Sequence, residues 1–285
     1  VLIAVVAALA AGACFALAGV LQQRAASARP EYESLSLRLL LHLCTQPVWL
    51  AGIALALLAY VCQALALAHG PLTLVQPLIV SELIFAIPLS ARLYRTRLRG
   101  REWLGIVAVT GGLATALGAA SPDPGSPVAS VTQWLLTLGS VAALAGAVLL
   151  GSRRFSGAPR ASLIAVAGGL VMGLQSVLLD AAIEQLGESA VQFLTAWQTY
   201  LMVAVSIGGL LLIQSAFQAG PLAASMPVFD AVEPAVAITV GVLLFGETVR
   251  GGWVAGPLTV AGTAVLVAGI VLLDTSPLLA RARQG

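Results

Sequence analysis

Asp230 and Glu233 stand three residues apart inside the apolar stretch SMPVFDAVEPAVAI, residues 225–238, with Pro227 and Pro234 on either side. At that spacing two side chains share one face of a helix. A carboxylate accepts hydrogen bonds, takes up a proton or meets a cation. Two carboxylates this close repel, which favours protonation of one of them. Neither proline has an N–H, so Pro234 frees the backbone carbonyl of Asp230 and Pro227 frees that of Ala223. The stretch is therefore rich in oxygen acceptors. That suits a substrate or coupling-ion site, or a protonated pair that only fixes helix packing.

Further candidates lie elsewhere. Glu82 falls between Pro77 and Pro88, which free the carbonyls of Thr73 and Ile84. Asp180 is about six residues from the end of its apolar run, with Glu184 one helical turn further out. Gln22, Gln23, Gln63, Gln76, Gln175, Gln198 and Tyr200 are neutral polar groups within or beside apolar runs. Each suits a cavity wall or an ordinary interhelical hydrogen bond. Trp197 and Tyr200 suit stacking on an organic cation or core packing. His69, beside Gly70, reads as an interfacial residue.

The elements that carry these groups follow from composition. Of the 285 residues, 59% are hydrophobic and 9% charged, against about 25% charged in a soluble domain. Most of the chain must therefore face lipid or other apolar helices. Crossing a bilayer takes about 20 mostly apolar residues. Nine segments qualify: 1–22, 47–68, 71–93, 103–120, 129–150, 163–186, 190–213, 221–245 and 252–273. Residues 1–22 read as a span and not as a cleaved signal. Residues 24–46 form a partly amphipathic connector with room for a tenth, short helix around LRLLLHLC. On this count Asp230 lies about 14 Å into its helix, near the middle of a core about 30 Å thick. Facing lipid, each acid would cost on the order of 2.5–3.5 kcal/mol, so both should look into the bundle.

All fourteen basic residues are arginine. With nine spans, every arginine except Arg250 falls on one face. Cytoplasmic loops collect basic residues, which predicts an N-terminus outside and a C-terminus in the cytoplasm of a cell-membrane protein. The run RLYRTRLRGRE, residues 92–102, joins two spans, so it reads as an orientation signal near anionic lipid and not as a nucleic-acid site. Cys14, Cys44 and Cys62 read as small apolar residues.

A shift of 150 residues aligns two blocks without gaps. Gly70-Pro71-Leu72 falls on Gly220-Pro221-Leu222, Pro77 on Pro227, Trp103 on Trp253 and Gly112 on Gly262. The predicted topology has the two blocks enter the membrane from opposite faces, as in inverted-repeat transporters. GLVMG (169–173) and GWVAG (252–256) read as close-packing faces. The chain has no HExxH, GxSxG, Walker A or GxGxxG motif. The lack of lysine excludes Schiff-base chemistry. No enzyme activity and no cofactor are expected.

The segment VEPAVAITVGVLLFGETVRGGWVAGPLTVAGTAVLVAG, residues 232–269, resembles the closing helix pair of the drug/metabolite transporter superfamily, EamA-like branch. The matching features are Glu233-Pro234, Gly246-Glu247 at the helix end, and a glycine-bearing last helix. GPLTLVQPLIVSELIFAIPLSARL, residues 70–93, is similar to the equivalent helix of NIPA-type magnesium transporters, a nine-span branch. The first half has one span fewer than the ten-helix pattern, with Thr96-Arg97 where the second half has Gly246-Glu247. The resemblance implies a permease.

The expected protein is an all-α integral membrane protein of about nine transmembrane helices in two inverted-topology repeats. The first repeat is residues 1–120 with four spans, the second 128–273 with five, and 274–285 form a cytoplasmic tail. It is read as a secondary transporter of a small cationic or amphipathic metabolite or drug, coupled to protons. Asp230 and Glu233 would carry proton or cation, opposite Glu82. Two alternatives stand: a Mg²⁺ pathway using Asp230 and Glu233, and a non-transporting scaffold or lipid-handling protein. The expected partners are membrane lipid and the cargo.

Overall fold

The computed structural model describes residues 2–69, 78–79, 81–93, 95, 98–120, 122–123, 129–245, 248–249 and 254–274. The described chain is an all-helical membrane protein. In lipid, a helix satisfies its backbone N–H and C=O groups within one segment. The helices are α1 (Leu2–Ser27), α2 (Leu37–Leu43), α3 (Pro47–His69), α4 (Glu82–Leu93) and α5 (Gly100–Ala120). After them come α6 (Val131–Ser152), α7 (Ala158–Glu188), α8 (Ala190–Thr195), α9 (Trp197–Ala219), α10 (Leu222–Phe245) and α11 (Ala255–Asp274). A two-residue pairing joins β1 (Pro122–Asp123) to β2 (Thr248–Val249).

Among the described residues seven helices are long and apolar enough to cross a membrane: α1, α5, α6, α7, α9, α10 and α11. α2 and α3 meet that test together, with a 90° bend between them. The short helix expected around LRLLLHLC is α2, started by Ser36, whose hydroxyl accepts from the Arg38 N–H. The span expected at 71–93 is described from residue 82 onward, as most of 70–81 lies outside the described residues. The helix expected at 190–213 is two helices. Ser189 caps α8, the extended Ala196 breaks it, and the membrane-length helix α9 begins at Trp197. At the start of α6, Ser130 and Gln133 form a reciprocal capping box.

α1 packs along α3 and α4, α7 packs along α9 and α10, and α5 packs along α11. The α5–α11 crossing is the tightest. A Cβ on Gly112 would lie 2.4 Å from Leu266 N and 2.6 Å from Gly262 O. A Cβ on Gly262 would lie 2.7 Å from Ala116 N and 2.8 Å from Gly112 O. Only glycine lets the two backbones come this close.

One end of the bundle gathers the basic residues among those described. Leu98, from the turn between α4 and α5, packs against the cluster that holds Ala25, Ala26, Leu39 and Leu43. Arg160 of α7 forms an ion pair with Glu31. The Gln218 Nε2 donates to the carbonyls of Pro30 and Arg29 at 2.6 and 3.2 Å. These contacts dock the connector after α1 onto α7 and α9. Within the connector, Arg29 grips buried Glu33 through two hydrogen bonds of 3.0 and 2.8 Å, and His42 Nδ1 lies 3.0 Å from the same carboxyl. The Arg29 hydrogen bonds hold the Glu33 carboxyl below the usual carboxylate range, against the opposing effect of burial, and His42 adds to the pull. Leu35 has a φ of 59°, unusual for a branched side chain. Its N–H donates to Ser215 Oγ at 3.0 Å, which fixes that turn.

A buried polar chain lies at the same end. Trp49 Nε1 donates to Gln214 Oε1 at 3.1 Å, and Gln214 Nε2 donates to Gln22 Oε1 at 2.7 Å. It ties α1, α3 and α9 together, so Gln22 is an interhelical hydrogen-bonding residue. Gln23 likewise donates to Gly220 O at 3.3 Å.

Candidate functional site

Glu82 opens α4, where the chain passes α1. A Cβ on Gly12 would lie 3.2 Å from Ser81 Oγ and 3.4 Å from Glu82 N. The small residue thus seats the start of α4 against the middle of α1. Asp230 and Glu233 lie on α10 between its two internal prolines, Pro227 and Pro234. Behind them α7 presses its glycines onto the α10 backbone. A Cβ on Gly173 would lie 2.6 Å from Glu233 O, and one on Gly169 would lie 2.7 Å from Val232 Cβ and 3.1 Å from Glu233 N. The GLVMG stretch is therefore the packing face its spacing predicts. The first two residues of GWVAG lie outside the described residues. A Cβ on its Gly256 would meet nothing within 4 Å, so that glycine is not a contact point.

These packings bring the acids together. The Glu82 and Asp230 carboxyl groups lie within hydrogen-bonding reach of each other, and Glu233 acts on both through space. Two carboxyl groups bond to one another only through a proton. The Asp230 Oδ2 is buried and has no hydrogen-bond partner. Ser81 Oγ and Ser225 Oγ are also buried and unpartnered. Among the described residues no arginine or histidine forms an ion pair with any of the three acids. No group of three His, Cys, Asp or Glu among the described residues is arranged to hold a metal ion. The arrangement can share a proton, and it offers unfilled acceptor capacity to a positively charged or hydrogen-bonding visitor.

Tyr60 of α3 lies at the rim of this site, and the sequence reading missed it. Its side chain is 58% exposed, its phenol is near enough to Glu233 and Glu82 to feel their charge, and its ring meets Phe15 of α1 edge-on at 5.1 Å. The available signal was a lone tyrosine in mid-span, which the pattern of acids gave no reason to single out.

The other candidates disperse. Gln76 and the Asp180 side chain lie outside the described residues. Gln63, Gln175 and Gln198 are half-buried, on α3, α7 and α9. No described hydrogen bond ties Gln175 or Gln198 to the acids. Tyr200 is 64% exposed and donates its hydroxyl to Leu194 O at 2.7 Å, so it braces α8 against α9. Trp197 stacks edge-on against Trp134 at 5.3 Å, which is packing. His69 is exposed, with Nδ1 3.0 Å from Leu65 O.

No family model matches this chain, and no solved structure matches it. Over 289 aligned residues it is 32% identical to an uncharacterized protein of Corynebacterium glutamicum. The alignment covers 99% of this chain and 99% of that protein. With that identity sustained along both full lengths, the chain belongs to the same family as the corynebacterial protein.

Proposed function

We propose that the protein is a proton-coupled secondary transporter of a small cationic or amphipathic organic compound. The observation that carries this reading is the convergence of Glu82 from α4 with Asp230 and Glu233 from α10, with the buried Asp230 Oδ2 left without a partner. Acids at such depth are costly, and they mark proton relays and cation pathways in membrane proteins. Cargo and proton would compete for the same carboxyl groups, which couples one to the other. Asp230 and Glu233 are the carriers, Glu82 faces them, and Tyr60 lines the approach.

The same reading takes the chain as nine spans in two inverted repeats, in a cell membrane, with the arginine-rich end in the cytoplasm. The α5–α11 crossing supports the repeat. Gly112 and Gly262 are related by the shift of 150 residues, and so are their contact partners Ala116 and Leu266. The contact is therefore self-complementary, as a pseudo-two-fold axis between repeats requires. Both acid-bearing helices carry internal proline, Pro88 in α4 and Pro227 and Pro234 in α10. Broken or proline-bearing helices at the repeat interface are where such transporters bind cargo. The likeness of residues 232–269 to drug/metabolite transporters points the same way.

The test is uptake of a panel of small organic cations into proteoliposomes under an imposed pH gradient, with a Mg²⁺-sensitive dye in a parallel set. The parent should accumulate at least one organic cation when the gradient is applied. Asp230→Asn should abolish that uptake or free it from the gradient, while still purifying as a folded membrane protein. Asp230→Asn vesicles that move the cation like the parent, with the same pH dependence, would remove Asp230 from the mechanism. Mg²⁺ entry without organic-cation uptake would replace this reading with the divalent-cation pathway.

A further inference from the structure

A second site lies outside the acid cluster, on the lipid-facing side of the bundle. A groove of about 770 Å³ runs between α1, α4 and the start of α5. Its floor is apolar, with Ala13 and Leu17 from α1, Ile84, Phe85 and Leu89 from α4, and Trp103 from α5. Its one charged lining residue is Arg92, in the last turn of α4. Among the described interactions the Arg92 guanidinium has no hydrogen bond and no ion pair, and the side chain is exposed.

The dimensions fit one lipid leaflet. Ile84 and Arg92 are eight positions apart on one helix, about 12 Å at 1.5 Å per residue. Half of a hydrocarbon core about 30 Å thick is about 15 Å. The groove thus reaches from the arginine-rich end of the bundle to nearly mid-bilayer. Trp103 is 44% exposed at the charged end, the level where tryptophan sits among lipid headgroups. Arg95 and Arg99, both exposed, lie in the turn just beyond and raise the positive potential there.

We propose that this groove is a binding site for one anionic membrane phospholipid. An acyl chain lies along Ile84, Phe85 and Leu17, and the headgroup phosphate is held by Arg92. Arginine suits this role because its planar fork takes two phosphate oxygens at once. The groove wall is α4, the helix that begins at Glu82, so an occupied groove buttresses that helix from the lipid side. The proposal does not depend on the protein being a transporter.

The test uses the full chain, purified in mild detergent, stripped of lipid and then titrated with phosphatidylglycerol or phosphatidylcholine. Native mass spectrometry counts bound lipids. The parent should retain one phosphatidylglycerol more strongly than phosphatidylcholine. Arg92→Gln should weaken that preference about fivefold, the share expected of one basic residue at the headgroup level. Arg38→Gln, on an exposed arginine of α2 outside the groove, should leave it unchanged. Ala13→Trp, which fills the trench from an exposed position on α1, should displace both lipids. Equal retention of the two lipids by the parent would overturn the proposal, as would an unchanged preference in Arg92→Gln. If Ala13→Trp does not fold, the comparison of Arg92→Gln with Arg38→Gln still decides.

Discussion

Gly173→Ala tests whether close packing behind α10 positions the acids. The added methyl carbon would sit 2.6 Å from the Glu233 carbonyl oxygen and 2.7 Å from Val236 Cβ. Ordinary contact begins at 3.4 Å, so α10 must move by roughly 0.8 Å at the residue that carries one of the carboxyl groups. The neighbour that resists is backbone of an apolar helix pinned by its other contacts, so it cannot rotate away. Overpacking of this kind costs about 1–3 kcal/mol. Replacing a mid-helix glycine by alanine returns about 1 kcal/mol, which leaves a net loss of about 0–2 kcal/mol. Gly168→Ala supplies the control on the same helix. Its methyl group would meet Ile213 and Leu212 at 3.6 Å, an ordinary contact. Thermal unfolding in detergent and cation uptake in proteoliposomes should be measured on both variants. Gly168→Ala should match or exceed the parent in stability and keep its flux. Gly173→Ala should be less stable than Gly168→Ala by about 1–3 kcal/mol, with flux reduced severalfold, since displacement of a site on the order of 1 Å can cost up to about a hundredfold. Equal melting temperatures and equal flux would refute the claim that α7 positions Glu233.

Two further predictions concern the arginine-rich end. Gln214→Leu removes both bonds of the buried chain and leaves Trp49 Nε1 and Gln22 Oε1 without partners. Each orphaned group costs about 1–3 kcal/mol, and a clear fall in melting temperature with a red-shifted Trp emission should follow. Glu33 is held below the ordinary carboxylate range by Arg29. Its folded value is thus lower than its unfolded value of about 4.3, so its contribution is full above about pH 4.3 and fades as pH falls through the folded value. Cleavage of the 28–46 connector by an acid-active protease should therefore rise below about pH 4 in the parent. Glu33→Gln should show that cleavage already at about pH 5, where the parent still resists it.

The acids were legible because a charged group in an apolar run is rare and expensive. Asp230 and Glu233 share a helix face by spacing alone, and the Asp230 carboxyl comes within hydrogen-bonding reach of Glu82. The GLVMG face was legible for a related reason: small residues at regular spacing leave a helix nothing to pack except its own backbone, whereas the same spacing in GWVAG puts Gly256 against nothing and Gly112 and Gly262 stood out only as a repeat match. Less was visible in neutral polar residues. Gln22, Gln175, Gln198 and Tyr200 look alike in sequence, yet Gln22 lies in a buried chain while Tyr200 faces outward. A neutral polar group is tolerated wherever one partner is within reach, and that partner is usually distant in the chain.

Composition and the run lengths of apolar residues determined the membrane character, the helical class and the approximate places of most helix ends, because lipid leaves a chain few other ways to bond its backbone. Tertiary structure alone decided which helices meet. It set Tyr60 within electrostatic reach of the acids, docked the connector through Glu31 and Gln218, and opened the groove below Arg92. Those outcomes depend on contacts between residues as much as 189 positions apart, and local hydropathy carries no record of such partners.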